Sequence, residues 1–206
     1  MSPRNKSGQA RIDYLRRVRR LRRIMKDGDY GALLITNPEN IRYLSGFFEP
    51  NAAGERESSA ALFITAREKV IFSDFRYRLQ AEKQASGYRF AEVGRKGLLA
   101  GASAYIADRD IPQVGYEPAA LSVEGLSKLR RAGHGVKWLR TKKLVESLRE
   151  IKEPAEIDEI QRACRMGDAL FEYLLSILAP GKTEKEMAAA GGVFILEQGA
   201  KGAAFE

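Results

Sequence analysis

The sequence predicts a three-layer α/β/α domain with a mixed sheet, followed by a helical segment with no strands of its own. Three observations lead there. Short apolar runs alternate with amphipathic stretches from residue 30 to residue 140, the pattern of strands covered on both faces by helices. The Arg67-Glu68 connection between two such runs is too short for anything except an antiparallel pair. After residue 153 the apolar positions recur at steps of three and four, which is the helical period.

Taken in order, residues 1–10 read as a tail, 11–140 as the α/β domain, 141–152 as a linker helix and 153–206 as the start of a second domain. Ile12, Leu15, Val18, Leu21, Ile24 and Met25 fall near helical spacing. They predict an amphipathic helix from about Arg11 to Asp27-Gly28-Asp29, apolar side inward and arginines in water. Tyr30 to Thr36 is a short buried strand closed by Asn37-Pro38. Asn37 caps a helical turn with Pro38 at its first position, and Gly46 releases it. Phe48–Ser59 has no periodic signal, and a stretch of that length in a compact domain points to function or disorder.

Strands follow at Ala60–Ala66 and Lys69–Ser73, then a helix capped by Asp74, with Arg76 and Tyr77 bracing its start. Tyr88–Val93, Gln113–Glu117 and Val136–Arg140 are further strands, with helices at Gly97–Ala107 and Val123–Arg131 between them. The long helix after Pro154 carries Ile157, Ile160, Cys164, Gly167, Phe171, Leu174 and Leu178 on one face and stops at Pro180-Gly181. Thr183 and Glu186 then form a capping box for a last helix. Gly191-Gly192 inside it costs roughly 1 kcal/mol per glycine.

Composition restricts the function classes. Hydrophobic content of 44% and charged content of 30% are ordinary for a globular chain. No apolar run approaches the ~20 residues that span a bilayer, and the basic N-terminus lacks the apolar core of a secretory signal. The net charge of +8 is local: residues 1–26 hold ten basic side chains against Asp13, leaving the other 180 residues at −1. Tyr14 is the one aromatic among those arginines and no nucleic-acid motif follows, so a solvated face is favoured over a nucleic-acid surface. A single cysteine, Cys164, excludes an internal disulfide and fits a reducing cytoplasm. Its place on the apolar face of the long helix predicts a buried small hydrophobe. His134, between two glycines, is a turn residue, and no nucleophile elbow, phosphate loop or paired-cysteine motif is present.

Two stretches carry a resemblance. IKEPAEIDEIQRACRMGD, LAPGKTEKEMAA and EQGAKGAAFE, in that order, resemble the opening of the catalytic domain in the creatinase, prolidase and aminopeptidase P ("pita-bread") family. NPENIRYLSGF resembles the signature loop of the same family's N-terminal domain, and DFRY its Asp-x-Arg-Tyr segment. The resemblance implies a creatinase/prolidase N-terminal domain with a ribonuclease H-like motif, a linker helix, and the opening helices of a metallopeptidase domain.

It further implies a cytoplasmic, homodimeric parent that cleaves on the N-terminal side of proline in peptides. That parent would use two divalent ions (Mn, Co or Zn) held by two aspartates, a histidine and two glutamates. All of these lie downstream of Glu206, so the 206 residues alone are expected to hold no catalytic or metal-ligating residue and to be inactive. Creatinase shares the fold without needing metal, and a non-catalytic peptide- or protein-recognition module is the alternative. In the family, loops of one subunit's N-terminal domain overhang its neighbour's pocket, which makes Tyr43, Phe47 and Arg56 the candidates for substrate contact. Tyr43 and Phe47 also read as core residues of the loop, and Arg56 as an exposed arginine. A guanidinium at that position suits a substrate carboxylate, which it grips with two parallel hydrogen bonds.

Overall fold

The computed structural model describes residues 12–48, 58–109, 111 and 113–203. Their contacts divide into a unit over Asp13–Ile151 and a second from Lys152 onward. The larger unit is built on a six-stranded sheet in the order β4-β3-β2-β1-β5-β6. In chain order these are β1 (Ala32–Ile35), β2 (Ala60–Thr65), β3 (Lys69–Ser73), β4 (Arg89–Glu92), β5 (Gln113–Tyr116) and β6 (Lys137–Arg140).

The pairs β1–β2 and β2–β3 are antiparallel, whereas β1–β5, β3–β4 and β5–β6 are parallel, so the sheet is mixed. The β2–β3 hairpin forms because Thr65 Oγ1 accepts from the amides of Arg67 and Glu68, at 3.1 and 2.8 Å. Leu34 pairs with Phe63 and Leu33 with Gly115 across the central strands.

Alternation along β1 sends Leu33 and Ile35 into one core and Ala32 and Leu34 into the other. The first core is covered by α1 (Tyr14–Asp27), α2 (Pro38–Ser45), α3 (Arg78–Gln84) and α6 (Leu144–Glu150); the second by α4 (Leu98–Ala107) and α5 (Val123–Ala132). Helix α6, read from sequence as part of a linker, packs against α1 and α2 inside this unit.

Two further details depart from the sequence reading. Helix α1 starts at Tyr14, because Asp13 caps it by accepting from the Arg16 amide at 2.9 Å. Its arginines are not all in water. Arg17 is 2% exposed; its Nη1 donates to the Tyr43 carbonyl at 2.9 Å and its guanidinium lies 4.0 Å from the Tyr43 ring centroid. Arg22 donates to the Thr65 and Glu68 carbonyls at the β2–β3 turn. Position on the helix decides this: Arg17 sits one residue from the buried stripe of Val18, Leu21 and Met25, and its long stem reaches the Tyr43 carbonyl.

The unit from Lys152 holds α7 (Pro154–Ile177) and α8 (Glu184–Glu197). Glu156 accepts from the Glu153 amide at 3.0 Å to start α7, and Thr183 with Glu186 closes a capping box at α8. The helices meet where Tyr173 and Phe194 stack with centroids 4.7 Å apart. Gly191 is the close-approach point: a Cβ there would stand 3.4 Å from Leu170 Cδ1 and 3.6 Å from Leu174 Cδ2. Those are ordinary contact distances that an alanine would fill, so packing does not require the glycine, and α8 runs through it unbroken.

Cys164 is exposed, which corrects the expectation of a buried thiol. The spacing is helical as read, but α8 meets the stripe only near Leu174, and Ile160 and Phe171 on it are 50% and 64% exposed.

The placement of Arg17 yields a stability prediction for the chain. Arg17→Ala removes a buried charge-assisted hydrogen bond and a stacked cation. It should lower the urea-unfolding free energy by about 2–4 kcal/mol, whereas Arg23→Ala on the exposed face should change it by less than about 0.5 kcal/mol. Equal, small effects at both positions would return α1 to a solvated surface helix.

Candidate functional site

The chain leaves β1 at the middle of the sheet and turns at once into the Asn37–Phe48 segment. Asn37 Oδ1 accepts from the Asn40 amide at 2.9 Å and Pro38 occupies the first helical position. Gly46, at φ 81°, ends α2 in a left-handed conformation. The residues that the sequence singles out there are now placed.

Tyr43 is 5% exposed, donates its hydroxyl to the Leu148 carbonyl at 3.2 Å, and carries Arg17 on its ring. Phe47 is 2% exposed and meets the Tyr77 ring edge-on at 6.1 Å. Both therefore stand in the first core, fixing the segment to α1, α6 and the turn after β3. Arg56 lies outside the described residues. Asp74 caps the helical turn at Phe75–Tyr77 and pairs with Arg76 at 2.7 Å, so Arg76 braces that turn as the sequence implies. The Arg76 guanidinium draws the Asp74 carboxyl below its ordinary range.

A polar cluster that the sequence does not announce sits beneath the start of α2. Glu117, one residue past β5, is 5% exposed. Its Oε2 accepts from the Thr36 and Asn37 amides at 2.7 and 2.8 Å, and its Oε1 from Asn40 Nδ2 at 2.5 Å. Asn40 Nδ2 also donates to Glu146 Oε1 at 2.9 Å, and Asn40 Oδ1 accepts from Arg149 Nη1 at 2.8 Å. One carboxylate and one amide thus join the end of β1, the start of α2, the end of β5 and α6. No local signal marks Glu117, whose partners are about eighty positions away; the nearest hint is an acid closing an apolar strand just before Pro118.

On the opposite side of the same strand ends is a cleft of about 150 Å³ lined by Thr36, Ser58, Lys96, Gly97, Leu99 and Lys128, among others. It lies where β1 and β5, parallel neighbours, send their chains to different faces of the sheet. Such a divergence opens a crevice at the carboxyl ends of the strands.

Burial pushes Glu117 up to about 7, and the nearby Glu146 carboxylate adds to this, against the donors from Asn37, Asn40 and Thr36 that favour the ionised form. A carboxyl whose folded pKa lies above its unfolded value near 4.5 holds its proton more tightly when folded. Its favourable contribution is complete below about pH 4.5 and is lost as the pH rises to about 7. Across that window the chain should lose roughly 3 kcal/mol relative to Glu117→Gln, at about 1.4 kcal/mol per pKa unit. Parallel urea midpoints for the two proteins from pH 5 to 7.5 would overturn the assignment.

With this geometry in place, comparison with known proteins becomes informative. Residues 17–151 match the Creatinase/Prolidase N-terminal domain family. An uncharacterized peptidase of Bacillus subtilis, YqhT, is 26% identical over 191 residues, 92% of this chain and 51% of that protein. The Xaa-Pro dipeptidase from Bacillus anthracis superposes with a TM-score of 0.81 at 28% identity, over 94% of this chain and 52% of the other. The N-terminal domain of the cytoplasmic peptidase PepQ from Mycobacterium tuberculosis gives a TM-score of 0.56 at 29% identity, over 65% of this chain and 98% of that one. The chain spans about half the length of the curated relatives it matches. Through a domain that occupies most of its length, it belongs to the creatinase/prolidase N-terminal domain family.

Proposed function

We propose that the chain is the amino-terminal part of a cytoplasmic, metal-dependent Xaa-Pro peptidase, where it supports dimerisation and shapes substrate access. The observation that carries this reading is the likeness to the Xaa-Pro dipeptidase of Bacillus anthracis over 94% of the chain, well past the end of the N-terminal domain. Helices α7 and α8 are the part of the chain that continues beyond the family match. No helix among the described residues is long and apolar enough to cross a membrane.

No group of three or more His, Cys, Asp or Glu stands together among the described residues, and in this reading the two divalent ions are held by the catalytic half. No catalytic step is therefore assigned to these side chains. In the proposed arrangement Tyr43 and Phe47 act on substrate by fixing the segment that leads to Arg56, and Arg56 grips a substrate carboxylate in the partner subunit's pocket.

Two experiments test this. The purified 206-residue chain, incubated with Mn²⁺ and Xaa-Pro dipeptides and tripeptides, should show no turnover, whereas the protein carrying the catalytic half should cleave them. An inactive full-length protein that binds proline-containing peptides would replace the peptidase reading with a recognition module. In an active full-length enzyme, Arg56→Ala should lower kcat/KM about tenfold, equivalent to about 1.4 kcal/mol of transition-state binding, and leave the folding midpoint unchanged. Wild-type kinetics would reduce Arg56 to a solvated arginine.

A further inference from the structure

The cleft at the ends of β1 and β5 is not used by the peptidase reading. Its floor is the first turn of α4, a ten-residue helix that starts without a side-chain cap. The residue at its N-cap is Gly97, at φ 79° and ψ 167°, a conformation that L residues avoid. A Cβ on it would meet nothing within 4 Å, so the glycine serves the backbone conformation and leaves the helix start open to the cleft. The first turn of a helix presents amide N–H groups and a partial positive charge.

A second feature independently points to a ligand. Thr36 is 6% exposed, lines the cleft, and its Oγ1 has no hydrogen-bond partner among the described residues. Continuing the alternation of Ala32 and Leu34, its side chain faces the α4–α5 side, opposite the Glu117 cluster. A buried hydroxyl left without a partner is costly unless something supplies one.

Lys96 and Lys128 add two cations to the rim. Lys128 also pairs with Glu124 at 3.0 Å, with the glutamate side chain 78% exposed, an exposed contact of the kind that is readily exchanged. Besides Ser58, the remaining side-chain lining is apolar, chiefly Leu98, Leu99 and Leu121.

We propose that this cleft binds a phosphate group, held by the first-turn amides of α4, the Thr36 hydroxyl and the ammonium groups of Lys96 and Lys128. Two lysines and a helix start favour a dianion over a carboxylate. The apolar wall leaves room for the organic part of a phosphomonoester. The site stands independently of the peptidase reading.

The test is a titration of the ¹⁵N-labelled chain with inorganic phosphate against chloride at matched ionic strength, followed by amide shifts. Saturable shifts should gather at Thr36 and Leu98–Ala100, with a Kd of about 1 mM or tighter. Thr36→Val, which keeps the shape and removes the hydroxyl, should weaken binding at least fivefold without lowering Tm. Lys128→Gln, a surface change that leaves the fold intact, should weaken it similarly. AMP binding at least as tightly as phosphate identifies a phosphomonoester as the ligand, and phosphate binding alone identifies the free ion. Non-saturating shifts spread over the arginines of α1, wild-type affinity in both variants, or acetate binding as tightly as phosphate would overturn the proposal.

Discussion

The Glu117 carboxylate is the contact on which the arrangement around α2 depends. It accepts from two consecutive amides at the end of β1 and from the side chain that starts the next helix. Those amides leave the sheet with no strand to pair with, so without the carboxylate they would be buried and unsatisfied. Asn40 then passes the constraint outward, to Glu146 and Arg149 on α6. A charge buried this deeply is costly by itself. Here three donors face it, from Thr36, Asn37 and Asn40, and the network ties α2 and α6 to the sheet. The segment that the family resemblance marks as its signature is anchored to the sheet by these contacts.

The same strand ends serve two faces differently. Toward α2 and α6 they are filled by Glu117 and its partners, and toward α4 and α5 they open into the cleft. The difference follows from topology. Strand β1 is followed by a helix on one face and its parallel neighbour β5 by a helix on the other, so the backbones diverge and cannot fill both sides equally. Gly115, in register with Leu33, leaves room for the side chains that lie over it, since a Cβ there would fall 2.5 Å from Leu33 Cδ2 and 2.8 Å from Thr141 Cγ2.

The segment from Lys152 is built to a different standard. Its two helices are capped at both starts and stacked through Tyr173 and Phe194, yet Phe171, Leu175, Leu178 and Leu196 are each more than half exposed. Capping and helical period are local properties, satisfied within a few residues. Burial of an apolar stripe requires a second surface, and the described residues supply only part of one. The chain spans about half the length of the peptidases it resembles.

Much of this was legible in the sequence, because much of it is local. The Asn37 cap, the Gly46 release, the Thr65–Lys69 hairpin turn, the strand positions and the α8 capping box each depend on residues at most nine positions apart. Periodicity read those correctly, and the two motif stretches identified the family. The rest depends on residues distant in sequence. Helical patterning predicts a solvated Arg17, but its Tyr43 carbonyl acceptor is 26 positions away; nothing local marks Glu117, whose partners are 77 to 81 positions away. The helical face of Cys164 predicts burial, and only the three-dimensional packing shows that the thiol is exposed. Sequence by itself determined which face of each element is apolar and, to within a few residues, where most elements start and stop. The tertiary structure decided which of those faces are covered and which polar groups are buried together, since both depend on contacts that no local pattern encodes.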